Sequence, residues 1–241
     1  MREAGGLTER TDLPGRRKAA SRTVPQDPIP IAVYGILGGV TLLCVLSIMA
    51  RMLRMDEVTF RFMLWNLFLA WLPLIVSLIA VQAAQRMRGG VRLTILAILG
   101  VGWLLLYPNA PYLTTDFIHL IFRRYDPKSM ILWYDLVVFF LFSWCGLLLG
   151  YVSMRHFHEM IRQVFSPALG WLFVTGATFL GGFGIYLGRV IRLNSWDALF
   201  NPFRLIEGVV EGLNRDAFVF TFLFGLLTFI LYVSLYALRR R

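Results

Sequence analysis

The 241 residues are 58% hydrophobic, 15% aromatic and only 16% charged, with a mean hydropathy of +0.66 and a net charge of +10. A soluble globular domain runs at about 45–50% apolar and about 25% charged, so that class is excluded, as are wholesale disorder and a disulfide-rich secreted scaffold. The composition is that of an integral membrane protein. Its basic excess reads as charge flanking membrane spans and meeting anionic lipid, not as a nucleic-acid footprint.

Residues 1–28 hold Arg2, Arg10, Arg16, Arg17, Lys18 and Arg22, four acids and little that can pack. They read as a disordered basic cytoplasmic arm, with residues 29–241 as the transmembrane helical domain. A cleaved signal is disfavoured, because the following apolar run exceeds the roughly 7–15 residues of a signal core. Six runs then approach the roughly 20 apolar residues a membrane-crossing helix needs: residues 29–50, 58–81, 91–107, 131–154, 168–190 and 217–238. None alternates as barrel strands do. The fold class is therefore all-α, a polytopic bundle of about six transmembrane helices.

Orientation follows from the basic residues. With both termini inside, the cytoplasmic segments carry 14 of them and the outer segments 9, Arg61 lying within the second run. That bias places both termini in the cytoplasm. Cys44 and Cys145 lie in apolar runs and read as small buried hydrophobes, with no disulfide, metal or redox role. No cofactor motif is present.

In chain order, Asn66 in the second run reads as interhelical hydrogen-bonding glue, and Pro73 as a kink. Pro108 and Pro111 are expected to break the third helix. Beyond them Leu113, Phe117, Ile118, Ile121 and Phe122 recur at helical spacing, which predicts a short helix lying on, or dipping into, the outer leaflet. Asp135, opening the fourth run after Trp133 and Tyr134, reads as a helix-start carboxylate or a partner for an outer arginine. His156, His158 and Glu159 are expected to be solvated in a cytoplasmic loop. The fifth run contains Gly170, Gly176, Gly181, Gly182, Gly184 and Gly188. Close packing inside the bundle is the simpler explanation, and a homodimer face through this fifth helix the sharper one. Asn201-Pro202 predicts a capped second interfacial helix near 202–213, with Phe203, Ile206, Val209, Val210 and Leu213 on its apolar face.

Polar groups at membrane depth are costly and are functional candidates by default. Asp116 and His119, three apart on one helical face, are candidate acid/base catalysts. Without a third nearby ligand they do not make a metal site. Arg189 suits bidentate capture of an anionic group. Asn109, Asp135, Asn194 and Asp197 are the remaining candidate binding residues. No nucleophile elbow, P-loop or dinucleotide fingerprint appears.

Three stretches carry a resemblance: Trp65-Asn66-Leu67-Phe68-Leu69-Ala70-Trp71-Leu72-Pro73, Tyr107-Pro108-Asn109-Ala110-Pro111-Tyr112-Leu113-Thr114-Thr115-Asp116, and Gly184-Ile185-Tyr186-Leu187-Gly188-Arg189 with Asn194-Ser195-Trp196-Asp197. In that order, from about residue 35 to the C-terminus, the chain resembles the bacterial membrane family called domain of unknown function 1361. The resemblance implies a polytopic bacterial membrane protein and supplies no catalytic assignment. The residues themselves lead to an expectation of one polar site on the extracytoplasmic face, binding or modifying a lipid or lipid-linked envelope substrate in the bacterial cytoplasmic membrane. The alternatives are a small-solute transporter and a structural subunit of a membrane complex. Membrane lipids are the expected partners, with no nucleic acid.

Overall fold

A computed structural model describes residues 29–55, 60–123, 125–193 and 200–238. The arm at 1–28, Asn194, Asp197, and Asp56 and Glu57 beside Arg61 all lie outside the described residues. Six long apolar helical spans form the bundle. They are built from α1 (Ile31–Met55), α2 (Phe62–Arg86), α3 (Gly89–Leu106), α4 (Asn109–Tyr112), a 3-10 turn (Leu113–Phe117), α5 (Ile118–Phe122), α6 (Met130–Val164), α7 (Pro167–Tyr186), a π turn (Leu187–Ile191), α8 (Pro202–Gly212) and α9 (Arg215–Leu238). The chain is a multi-pass membrane protein of the all-α class.

The two ends of the bundle differ. At one end, α2 passes to α3 and α6 to α7 through tight turns. Gly89 takes a positive φ at the first of these, a conformation that glycine adopts without penalty. Ser166 caps α7 at the second by accepting from the Leu169 N–H, with Pro167 in the first turn, as helix starts favour. At the other end lie the longer connections, which carry the candidate residues.

Two cores hold the helices together. One packs α1 on α2 and α6. Its α1 face is Leu37, Cys44, Ile48 and Arg51, spaced seven, four and three residues apart along one helical stripe. The other packs α2, α3, α6, α7 and α9 around Trp103, Tyr107, Phe157 and Tyr232.

The third span departs most from expectation. Pro108 and Pro111 do not turn the chain out of the bundle, and Gly89–Phe122 runs as a single span of 34 residues. Proline lacks an N–H and disturbs the preceding turn. The chain answers by changing helical register. Ala110 donates to the Tyr107 carbonyl, and the Asn109 side chain donates to the Leu106 carbonyl at 2.9 Å. The irregular backbone is buried, as a bilayer requires. It lies against glycines of the neighbouring helices, where a Cβ would strike Ala110 O from Gly146, the Tyr107 ring from Gly181 and the Pro108 ring from Gly184. Leu113 is buried and Ile121 and Phe122 are exposed, so this element dips into the protein and emerges at α5.

The same contacts account for most of the glycines of the fifth run. Gly181, Gly182, Gly184 and Gly188 of α7 and its π turn meet atoms of this chain's own 107–112 segment, of α9 or of Leu193. The close-packing face is filled internally, leaving Gly176 in open space.

The histidines are a second correction. His156 and His158 are buried, not solvated. They belong to α6, whose 35 residues extend about 50 Å at 1.5 Å each. His156 bonds Tyr34 Oη at 2.9 Å and Ser77 Oγ at 2.8 Å, tying α1, α2 and α6 together.

The helix α8 forms over Pro202–Gly212, as its proline start predicts, but the Asn201 side chain makes no capping bond. Gly208 and Gly212 face Leu193, Ile191 and Leu187. Phe203, Ile206, Val210 and Leu213 are exposed, an arrangement suited to lying in the interface.

Candidate functional site

At the long-connection end, four elements bring side chains to one point. The 3-10 turn supplies Thr115 and Asp116, α5 supplies His119, α2 supplies Asn66 and the π turn supplies Arg189. The 3-10 geometry is supported locally, since the Thr114 and Thr115 hydroxyls donate back to the Pro111 and Tyr112 carbonyls at 2.7 and 2.6 Å.

Asp116 is fully buried. Arg189 donates to its Oδ1, and Asn66 Nδ2 donates to its Oδ2 at 3.0 Å. Arg189 Nε also donates to Thr115 Oγ1 at 2.8 Å, and its guanidinium lies 4.4 Å from the centre of the Tyr112 ring. His119 Nε2 is 3.4 Å from Arg189 Nη1. Arginine only donates, so this nitrogen accepts and the neutral ring carries its proton on Nδ1. The imidazole rests on Phe62, with centroids 4.5 Å apart.

Arg189 is aimed by strained backbone. A π turn is frequent at functional sites. This one closes through the Arg192 N–H to Leu187 O, the Leu193 N–H donates to the same carbonyl at 3.0 Å, and Arg192 lies in the left-handed region at φ 64°. That conformation costs a non-glycine residue roughly 1–2 kcal/mol.

Asp116, His119 and Arg189 thus converge. Asp135 does not join them. Its carboxylate is clamped by Arg51 Nε and Nη2 at 2.5 and 2.9 Å, and Tyr125 Oη donates to it at 2.5 Å. Burial, with the bond to Asp135, holds the Tyr125 hydroxyl protonated above the usual phenol range. Arg51 also lies over Phe60, whose ring meets both Phe62 and Phe139. These aromatic rings stand between the two ion pairs. Asn109 is committed to the Leu106 carbonyl below the cluster.

Sequence reasoning placed Asp135 opposite an outer arginine as one of two alternatives, and the structure supplies that arginine as Arg51. It missed Thr115, Tyr112 and Asn66 as members of the Arg189 cluster. Asn66 was legible as a hydrogen-bonding residue but not as a ligand of Asp116. Arg51 carried a signal, its register with Leu37, Cys44 and Ile48, which counting it as a loop charge obscured.

Residues 65–231 match the family described as "Protein of unknown function (DUF1361)". The chain belongs to DUF1361. No curated protein and no solved structure matches it. The DUF1361 match begins at Trp65, so Asn66, Thr115, Asp116, His119 and Arg189 all fall inside it, whereas α1 and Arg51 precede it.

Proposed function

We propose that this DUF1361 protein is a bacterial cytoplasmic-membrane protein with both termini inside, and that the Asp116–Arg189 cluster at its extracytoplasmic end holds the anionic group of a lipid or lipid-linked envelope substrate. The observation that carries this is an asymmetry of exposure. The Arg189 side chain is 21% exposed while its carboxylate partner is 0% exposed. A guanidinium has five donors in a planar fork. One edge serves Asp116 and Thr115, and the Nη1 edge faces His119, where a phosphate or carboxylate oxygen is the better acceptor. In this arrangement His119 is the acid/base candidate that can gain a proton. Asp116, with both oxygens engaged, orients Arg189. The exposed face of α8 beside the π turn would keep the site within reach of lipid head groups.

The test is native mass spectrometry with lipid analysis of gently solubilised protein, comparing wild type with the double variant Asp116→Asn/Arg189→Gln. Changing both partners avoids a lone buried charge. The expected result is an anionic lipid or lipid-linked species retained by wild type and lost in the variant at equal thermal stability. Identical profiles would remove the cluster as an anion site and move the assignment to a transport or structural role.

A further inference from the structure

A second polar site lies halfway along the bundle, away from the Arg189 cluster and independent of the function proposed for it. A cavity of about 10 Å³ is lined by Tyr107, Pro111, Gly150, Tyr151, Thr228 and Tyr232. It sits where the third span changes register, against the middle of α6 and α9. Leu147 and Leu231 complete the lining, so four of its eight residues carry hydroxyls. The Tyr107 and Thr228 hydroxyls are neighbours.

On the side towards the tight turns, Tyr232 Oη lies 2.6 Å from Nδ1 of the buried His158. His158 Nε2 is buried, lies against Gly170, and has no hydrogen-bond partner among the described residues. The groups around this imidazole are Trp171 from α7, Tyr232 and Tyr236 from α9, and Arg155, Glu159 and Arg162 from its own helix. Glu159, paired with Arg162, is partly exposed, so the file begins near water at that end.

We propose that this cavity is a binding site for a single water, which joins His158–Tyr232 to Tyr107–Thr228 in one hydrogen-bonded file reaching the middle of the membrane. The size fits. A buried water needs roughly 10–15 Å³ and two to four polar partners, while empty cavities are characteristically apolar. The chemistry fits as well: Thr228 Oγ1 donates to the Phe224 and Gly225 carbonyls and Tyr151 Oη accepts from Arg155 Nη1, which leaves Thr228 lone pairs and the Tyr151 proton for a water. A tyrosine both donates and accepts, so Tyr232 can bond the imidazole on one side and the water on the other.

Gly150 provides the test. An added Cβ there would meet nothing closer than 3.4 Å, so Gly150→Ala takes up cavity space without a clash. X-ray radiolytic hydroxyl labelling of the full-length protein, which reports water next to a side chain, is compared with thermal stability. Tyr107 and Tyr232 are expected to label above Phe142, which is likewise buried in the other core, and to fall to its level in Gly150→Ala. Thr228→Val, which keeps the shape and removes a hydroxyl, should lower labelling too and serves if the alanine variant does not fold. Tyrosine labelling no higher than that of Phe142 in wild type would overturn the proposal, as would labelling unchanged in both variants.

Discussion

Two ion pairs lie at the same end of this bundle, and each buries its carboxylate completely. In the Arg51–Asp135 pair the arginine is 2% exposed; in the Arg189–Asp116 pair it is 21% exposed. The first is roofed by Phe60 and Tyr125, joins α1 to α6 and rests on regular helix. The second is set in a 3-10 turn and a π turn, shares its arginine with Thr115 and approaches His119. A buried pair gains little over an apolar substitute but is very costly to break by halves. Sealing therefore suits a clamp, and partial exposure with strained backbone suits a group that exchanges partners. Polar residues at one depth in one protein thus divide into fastening and candidate chemistry by what covers them.

The sharpest way to break the comparison is to remove one side of the sealed pair. Arg51→Met leaves Asp135 buried and uncompensated and is expected to cost about 3–5 kcal/mol, read as a large fall in unfolding temperature in detergent. Arg51→Met/Asp135→Leu should recover most of it, since the pair is then replaced by packing. Recovery that fails would mean the clamp holds something besides its own charges.

A smaller effect is expected at Tyr125. Its hydroxyl titrates higher in the folded protein than in the unfolded chain. Its contribution is therefore present below the usual phenol value of about 10 and is lost as pH rises through the folded value. Tyr125→Phe is expected to lower stability by about 0.5–1.5 kcal/mol at neutral pH and to flatten the alkaline decline above about pH 10. An unchanged alkaline limb would show that Tyr125 does not seal the pair.

The smallest effect belongs to the open pair's backbone. Arg192 is exposed and left-handed. Arg192→Gly relieves that strain and is expected to raise stability by about 0.5–1 kcal/mol, after the extra freedom glycine gives the unfolded chain. If the π turn must stay strained to aim Arg189, the same variant will weaken anion retention despite being more stable. Gains in both would separate strain from function.

Much of this was open to inspection in one dimension. Six apolar runs, the proline start of α8 and the cost of Asp116, His119 and Arg189 all follow from residue type and local spacing, because hydropathy and helix-start chemistry act over a few residues. The depth of the Tyr107–Pro111 motif was not legible. A proline pair reads as a helix end unless the glycines that accommodate it, Gly146 on α6 with Gly181 and Gly184 on α7, are known to face it. The histidines failed for the same reason. His156 and His158 are two apart and flanked by charges, a solvated pattern until Ser77, Tyr34 and Tyr232 arrive from three other helices.

By itself, then, the sequence determined the class, the spans and the short list of expensive polar groups, because each is the sum of local transfer and backbone preferences. Only the tertiary structure decided which carboxylate meets which arginine. Asp135 and Asp116 are alike as residues, and their difference resides in Phe60, Tyr125, Thr115 and the π turn, which are distant along the chain and adjacent only once the helices have packed.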